Sequence, residues 1–110
     1  MLEELNTIVE RTGLPVETGV FSGTAPDEYV VITPISEHFG LFSDDGPGMN
    51  IEEARLPLYS KKNYTQKKDL PARMLLTAGF TVSDRRYIGH EADTGYHQYS
   101  IDIMQEREEI

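Results

Sequence analysis

The sequence contains no cysteine and no tryptophan. Without cysteine there can be no thiolate metal site, no cysteine nucleophile, no redox pair and no disulfide framework, so the fold must stand on packing alone; the absence is compatible with a reducing compartment. Positive charge is also scarce. Ten basic residues stand against nineteen acidic ones, a formal net charge of -9 with a pI near 4.6, and such a field repels a polyanion, so no primary nucleic-acid partner is expected. No apolar run approaches the roughly 18 residues that a membrane span needs, and the opening Met-Leu-Glu-Glu lacks the basic start of a secretory signal. A soluble, unexported protein with no membrane partner is expected. The motifs with strong mechanistic content are missing as well: there is no G-x-S-x-G elbow, no G-x-x-x-x-G-K-[ST] phosphate loop, no H-E-x-x-H and no G-x-G-x-x-G. An enzyme would need a site that no motif announces, and no cofactor is implied.

What is present is one domain's worth of chain. The 110 residues are of ordinary single-domain size, too short for two cores side by side, and are read as one domain over 1–110. Hydrophobic residues make up 38%, and six Tyr and four Phe can anchor a small core. Charge is unevenly placed. Residues 1–55 hold eleven acids against only Arg11 and Arg55, whereas residues 61–86 hold Lys61, Lys62, Lys67, Lys68, Arg73, Arg85 and Arg86 against Asp69 and Asp84. Such blocks arise by chance on a solvated surface. They also suit a subunit that docks head to tail on a copy of itself, because a ring contact puts two different patches of one chain face to face.

Leu2, Leu5, Ile8 and Val9 recur at helical spacing, with Glu3 and Glu4 at the end where the helix dipole favours acids. Gly13 and Pro15 place the stop near Thr12. Residues 15–21 read as a strand, residues 22–27 as a turn, and Tyr29-Val30-Val31-Ile32-Thr33 as a central strand that Pro34 ends or bulges. The cluster Asp44-Asp45-Gly46-Pro47-Gly48 predicts a loop, and residues 41–50 are expected to project as a flexible contact element. Over residues 51–60, Ala54, Leu56 and Leu58 alternate with Glu53 and Arg55, the pattern of a half-buried strand whose charged face meets solvent or a partner. Asn63 is placed as the cap of a second helix with a weak or kinked front half, an apolar stripe of Leu70, Met74, Leu75 and Ala78, and Gly79 as its stop. Residues 80–88 and 96–104 predict a hairpin with His97, Tyr99, Ile101 and Ile103 on one face, and residues 105–110 a frayed tail. The fold class is therefore α+β: an N-terminal helix, a mostly antiparallel sheet of five to six strands, a second helix packed on the sheet and a C-terminal hairpin. Val30, Ile32, Leu56, Leu58, Leu75, Ile101 and Ile103 are the expected core.

Several clusters invite a chemical reading. His90, Glu91, Asp93 and His97 lie within eight residues and contain ligand types for a zinc-like ion; hairpin loops collect the same residues for conformational reasons, and His97 falls on the apolar parity of its strand. Asp44 and Asp45 beside Glu52 and Glu53 resemble paired carboxylates or a calcium loop but lack the spacing of an EF-hand. The alternation of Lys61, Lys62, Lys67 and Lys68 with Tyr59 and Tyr64 has the look of a nucleic-acid patch, which the overall charge ranks below a protein contact. The candidate interaction residues are Asp44, Asp45, Glu53, Arg55, Lys61, Lys62, Lys67, Lys68, Arg85 and Arg86. No catalytic, cofactor or metal residue is assigned.

A helix ending in Thr-Gly-Leu-Pro (12–15), the segment Val-Phe-Ser-Gly-Thr-Ala-Pro-Asp-Glu-Tyr-Val-Val-Ile-Thr-Pro (20–34), the strand Glu-Ala-Arg-Leu-Pro-Leu-Tyr-Ser (53–60) and a helix closing before Phe-Thr-Val (80–82) together resemble the tail-terminator, or tail-completion, proteins of long-tailed phages and prophages. The hairpin Asp-Arg-Arg-Tyr-Ile-Gly (84–89) with Thr-Gly-Tyr (94–96) is similar to the group found in PBSX-type defective prophages. The resemblance implies a homo-oligomeric ring, commonly six-fold, that caps the head-proximal end of a tail tube, with tail-tube and neck proteins as partners and the host cytoplasm and virion as locations. It brings no catalytic residues. A head-closure or connector protein of the same neck is the nearest rival. An acidic DNA-mimic regulator or inhibitor, suggested by the charge, and a metal-dependent hydrolase centred on His90 and His97 are the others.

Overall fold

The computed structural model describes residues 2–18, 25–43, 46–62, 65 and 67–108. The order of elements is α1 (Leu2–Glu10), β1 (Val16–Thr18), β2 (Glu28–Ser43), β3 (Gly46–Ser60), α2 (Asp69–Thr77), β4 (Thr81–His90) and β5 (His97–Glu108). One five-stranded sheet runs β1-β2-β3-β5-β4. Among the described residues only β1 pairs in parallel, with β2; the other three pairings are antiparallel. This is the expected α+β fold.

Both helices lie on one face. Val30, Ile32, Ala54, Leu56, Leu58, Tyr99, Ile101 and Ile103 point to that face at the period of two that a pleated strand imposes, and meet Leu5 and Val9 of α1 and Leu75 of α2. All seven expected core residues are buried there. The helix ends follow local chemistry. Past α1, Gly13 takes a left-handed φ of 85°, and the Thr12 hydroxyl donates to the Val9 carbonyl at 2.6 Å. Past α2, the Gly79 amide donates to Leu76 and the Phe80 amide to Leu75, the paired bonds of a Schellman stop, with Gly79 at φ 96° and Phe80 buried in the core beside Leu75.

Four expectations need correction. First, the segment 41–50 is not a projecting loop: β2 continues to Ser43 and β3 begins at Gly46, with Ser43 opposite Gly46. Of the two outcomes expected at Pro34 the bulge is the one found: β2 runs on through a register shift between Pro34 and Ser36, and β1 stops opposite Ile32. Asp44 and Asp45 lie outside the described residues. Second, residues 105–108 are not a frayed tail but the last part of β5, paired with β3 from Met49 to Glu52; ladder bonds outweigh their charged composition. Third, α2 begins at Asp69 rather than at Asn63, which is outside the described residues; Pro71 sits in the first turn, where no amide donor is required. Fourth, its buried side is Pro71, Ala72 and Leu75, whereas Leu70 is 45% exposed and Ala78 is exposed too. The first strand is also short, three residues, with 19–21 outside the described residues.

The long hairpin shapes the molecule. The 16 residues of β2 at about 3.3 Å each account for the longest extent, 54 Å, beside 25 Å in the other two directions. The radius of gyration is 15.4 Å, against about 13 Å for a compact chain of this length. The core stops at Ile32, Ala54 and Ile103. Beyond it, residues 36–43 and 46–53 run on as a two-stranded arm supported along part of one edge by the end of β5.

Candidate functional site

The candidate residues divide between the outer face of the sheet, its β4 edge and the segment joining β3 to α2. Arg55 stands opposite Asp102 in the β3–β5 register and grips it with two hydrogen bonds, Nε to Oδ1 at 2.8 Å and Nη2 to Oδ2 at 3.2 Å. That bidentate bond holds the Asp102 carboxyl below its usual range, against the opposing effect of partial burial. Arg86, on β4, bonds Asp84 and lies 3.9 Å from Asp102. On the helix side of β4, Arg85 donates to Asp69 at 3.0 Å and Lys68 donates to the same oxygen at 3.1 Å; the Lys68 bond leads in pulling the Asp69 carboxyl down. Four of the expected partner-facing cations, Arg55, Lys68, Arg85 and Arg86, are thus engaged within their own chain.

The remaining candidates lie elsewhere. Lys61 sits 4.8 Å over the ring of Tyr96, and Lys62 and Lys67 are exposed. Glu53, at the root of the arm, accepts a hydrogen bond from Ser36 at 2.7 Å. Beside it, the Asn50 amide bridges Glu37 at 3.1 Å and Glu52 at 3.5 Å. The acids Glu37, Glu52 and Glu53 therefore gather at the arm, while the lysines of residues 61–68 follow the opposite end of β3. Asp27 and Glu28 flank that lysine end, with Glu28 opposite Ser60 and the Lys61 amide bonded to the Asp27 carbonyl.

Tyr59 has a role that its spacing from the lysines concealed. It is the register partner of Tyr29, the two rings stack at 4.8 Å, and Tyr96 meets both edge-on at 5.5 and 6.2 Å. The Tyr96 hydroxyl donates to the Pro26 carbonyl at 2.6 Å, tying the β4–β5 turn to the start of β2 across the intervening β3. Burial raises the Tyr29 and Tyr59 hydroxyls above their ordinary pKa. Only pairing across strands could have found this trio, since its members are 30 or more residues apart.

His90 and His97 face each other at the turn end of the last hairpin, with ring centroids 4.4 Å apart. Nδ1 of His97 is 2.9 Å from the Tyr87 hydroxyl. Glu91 and Asp93 are exposed in the turn and do not complete a cage: among the described residues, no group of three or more His, Asp or Glu side chains is placed to hold a metal ion. Nor is any helix among them long and apolar enough to cross a membrane.

Two further surfaces escaped sequence reasoning. The β4 strand is a sheet edge of ten residues, mostly exposed and including Tyr87 and Ile88, with backbone groups on its outer side open to a further strand. The helix layer carries a groove of about 320 Å³ lined by Ile8, Arg11, Arg73, Met74, Thr77 and Ala78. A scan against models of protein families finds none that matches this chain, and a search of curated proteins likewise returns no match.

Proposed function

We propose that this chain is a non-enzymatic assembly subunit of the tail-terminator type, forming a ring at the head–tail junction of a phage or prophage particle. The observation that carries the reading is the unfinished sheet. It ends on one side in an open ten-residue edge and runs on, past the helix layer, as a two-stranded arm beyond the core. A sheet edge and an uncovered arm are stable in solution but are surfaces that a neighbouring subunit completes. The distance of the arm's acids from the lysines of residues 61–68 favours a head-to-tail neighbour, in which the acids of one copy's arm meet the lysines of the next. The ion pairs of Arg55, Lys68, Arg85 and Arg86 leave Lys61, Lys62, Lys67 and Arg73 as the basic residues of that stretch for the contact.

The test is electron microscopy of the purified protein, alone and with tail-tube protein, combined with light scattering. Annuli and capped tube ends are the expected result. A monomer at high concentration, both alone and with tube protein, overturns the reading, and co-sedimentation with portal complexes instead of tubes replaces it with a head-closure role.

A further inference from the structure

Three of the five large hydrophobic side chains exposed among the described residues, Ile35, Leu70 and Leu76, belong to two surfaces of opposite shape and charge. The first is convex. In α2, Pro71, Ala72 and Leu75 turn inward, which leaves Leu70, Arg73 and Leu76 outward at i, i+3 and i+6, with the arginine between the two leucines. A groove of about 320 Å³ follows one flank of this ridge and one of about 430 Å³ the other, and Arg73 lines both. The acid spaced to pair with it, Asp69 at i−4, is held instead by Lys68 and Arg85. Among the described residues Arg73 makes no ion pair.

The second surface is concave. At the root of the arm, a groove of about 270 Å³ has Leu2, Pro34 and Ile35 among its apolar lining and Glu37 among its acids. The Asn50 amide donates to Glu37 at 3.1 Å. Asparagine is uncharged, so it orients that carboxylate without neutralising it, and among the described residues Glu37 has no cationic partner. The two surfaces lie towards opposite ends of α1: Leu2, its first residue, lines the groove, whereas Ile8 and Arg11 line a flank of the ridge.

We infer that the α2 ridge of one copy seats in the arm-root groove of a second copy, with Leu76 against Leu2 and Ile35 and Arg73 against Glu37. The inference rests on the ring reading above and names the two surfaces that make its head-to-tail contact. Ridge and groove are different patches, so neither is its own partner, and each copy holds two neighbours at once, one through each patch. Covering the exposed leucines and Ile35 supplies attraction, and the arginine and glutamate fix which patch meets which.

Cross-linking tests it, because the chain has no cysteine and an introduced thiol is unique. Leu76→Cys and Ile35→Cys both replace exposed side chains. With a short bismaleimide, a mixture of the two variants is expected to give mixed dimers, and either variant alone none. In sedimentation velocity over a concentration series, Arg73→Glu and Glu37→Arg each weaken association by roughly tenfold or more. The double variant R73E/E37R restores it, and circular dichroism verifies that each variant is folded. Either cysteine variant cross-linking to itself, or an association that both charge reversals leave unchanged, overturns the inference. Annuli seen by electron microscopy without the mixed cross-link overturn it alone and leave the ring reading standing. Mixed cross-links in open chains that never close into annuli uphold this contact and overturn the ring, and native protein that stays monomeric at high concentration overturns both.

Discussion

Arg55 and Asp102, 47 residues apart in sequence, are register partners on adjacent strands and share a two-pronged hydrogen bond at the middle of the outer sheet face. Their side chains are 43% and 16% exposed, so the pair is screened on one side and sheltered on the other. A double-mutant cycle with Arg55→Ala and Asp102→Ala is expected to give a favourable coupling in urea unfolding that shrinks as salt is added. A coupling near zero would make the arginine available to a partner after all.

Acid should weaken the fold through the same carboxyl. The Asp102 pKa is lowered from its ordinary 3.8 by the Arg55 hydrogen bond, so its contribution is present above that value and is lost as the pH falls through the lower folded one. Asp102→Asn is expected to be less stable at neutral pH and to show a smaller further loss of stability on acidification, measured as the urea midpoint against pH.

At the alkaline end the stacked pair Tyr29 and Tyr59 acts in the opposite direction. Burial raises Tyr29 and Tyr59 above the ordinary 10.0; stability from keeping them protonated is complete below that value and is lost as the pH rises through their higher folded values. Phenolate absorbance should therefore show late-titrating tyrosines, and Tyr29→Phe with Tyr59→Phe should remove them.

Leu56 and Leu76 differ widely in burial. Leu56 is fully buried at the centre of β3, and Leu76 is 56% exposed on α2. Leu56→Ala is expected to cost about 2–5 kcal/mol in unfolding free energy, and Leu76→Ala about 0.5 kcal/mol or less. A large loss at Leu76 in solution would mean that a second copy covers it.

The Gly79→Ala substitution isolates backbone strain. No atom lies within 4 Å of where a Cβ would stand, yet φ is 96°, so the expected loss of about 1 kcal/mol in thermal or urea unfolding comes from the left-handed backbone conformation alone.

The sequence alone determined whatever depends on neighbours a few residues away. Gly13 and Gly79 end helices wherever the rest of the chain goes, and the alternation through Ala54, Leu56 and Leu58 or Tyr99, Ile101 and Ile103 selects a buried face before any partner strand is known. Tertiary structure decided what depends on register. The turn formers Gly46, Pro47 and Gly48 and the charged run 105–108 have weak strand preference by themselves, and only the ladder of β2 on β3 and of β3 on β5 makes them an extension of the sheet. The same ladders turned Arg55 from a charge facing outward into one held by Asp102, and brought Tyr29, Tyr59 and Tyr96 together. Pairings between residues 30 to 50 positions apart carry no local signature, because a shift of one residue in register would have sent every one of those side chains to the other face.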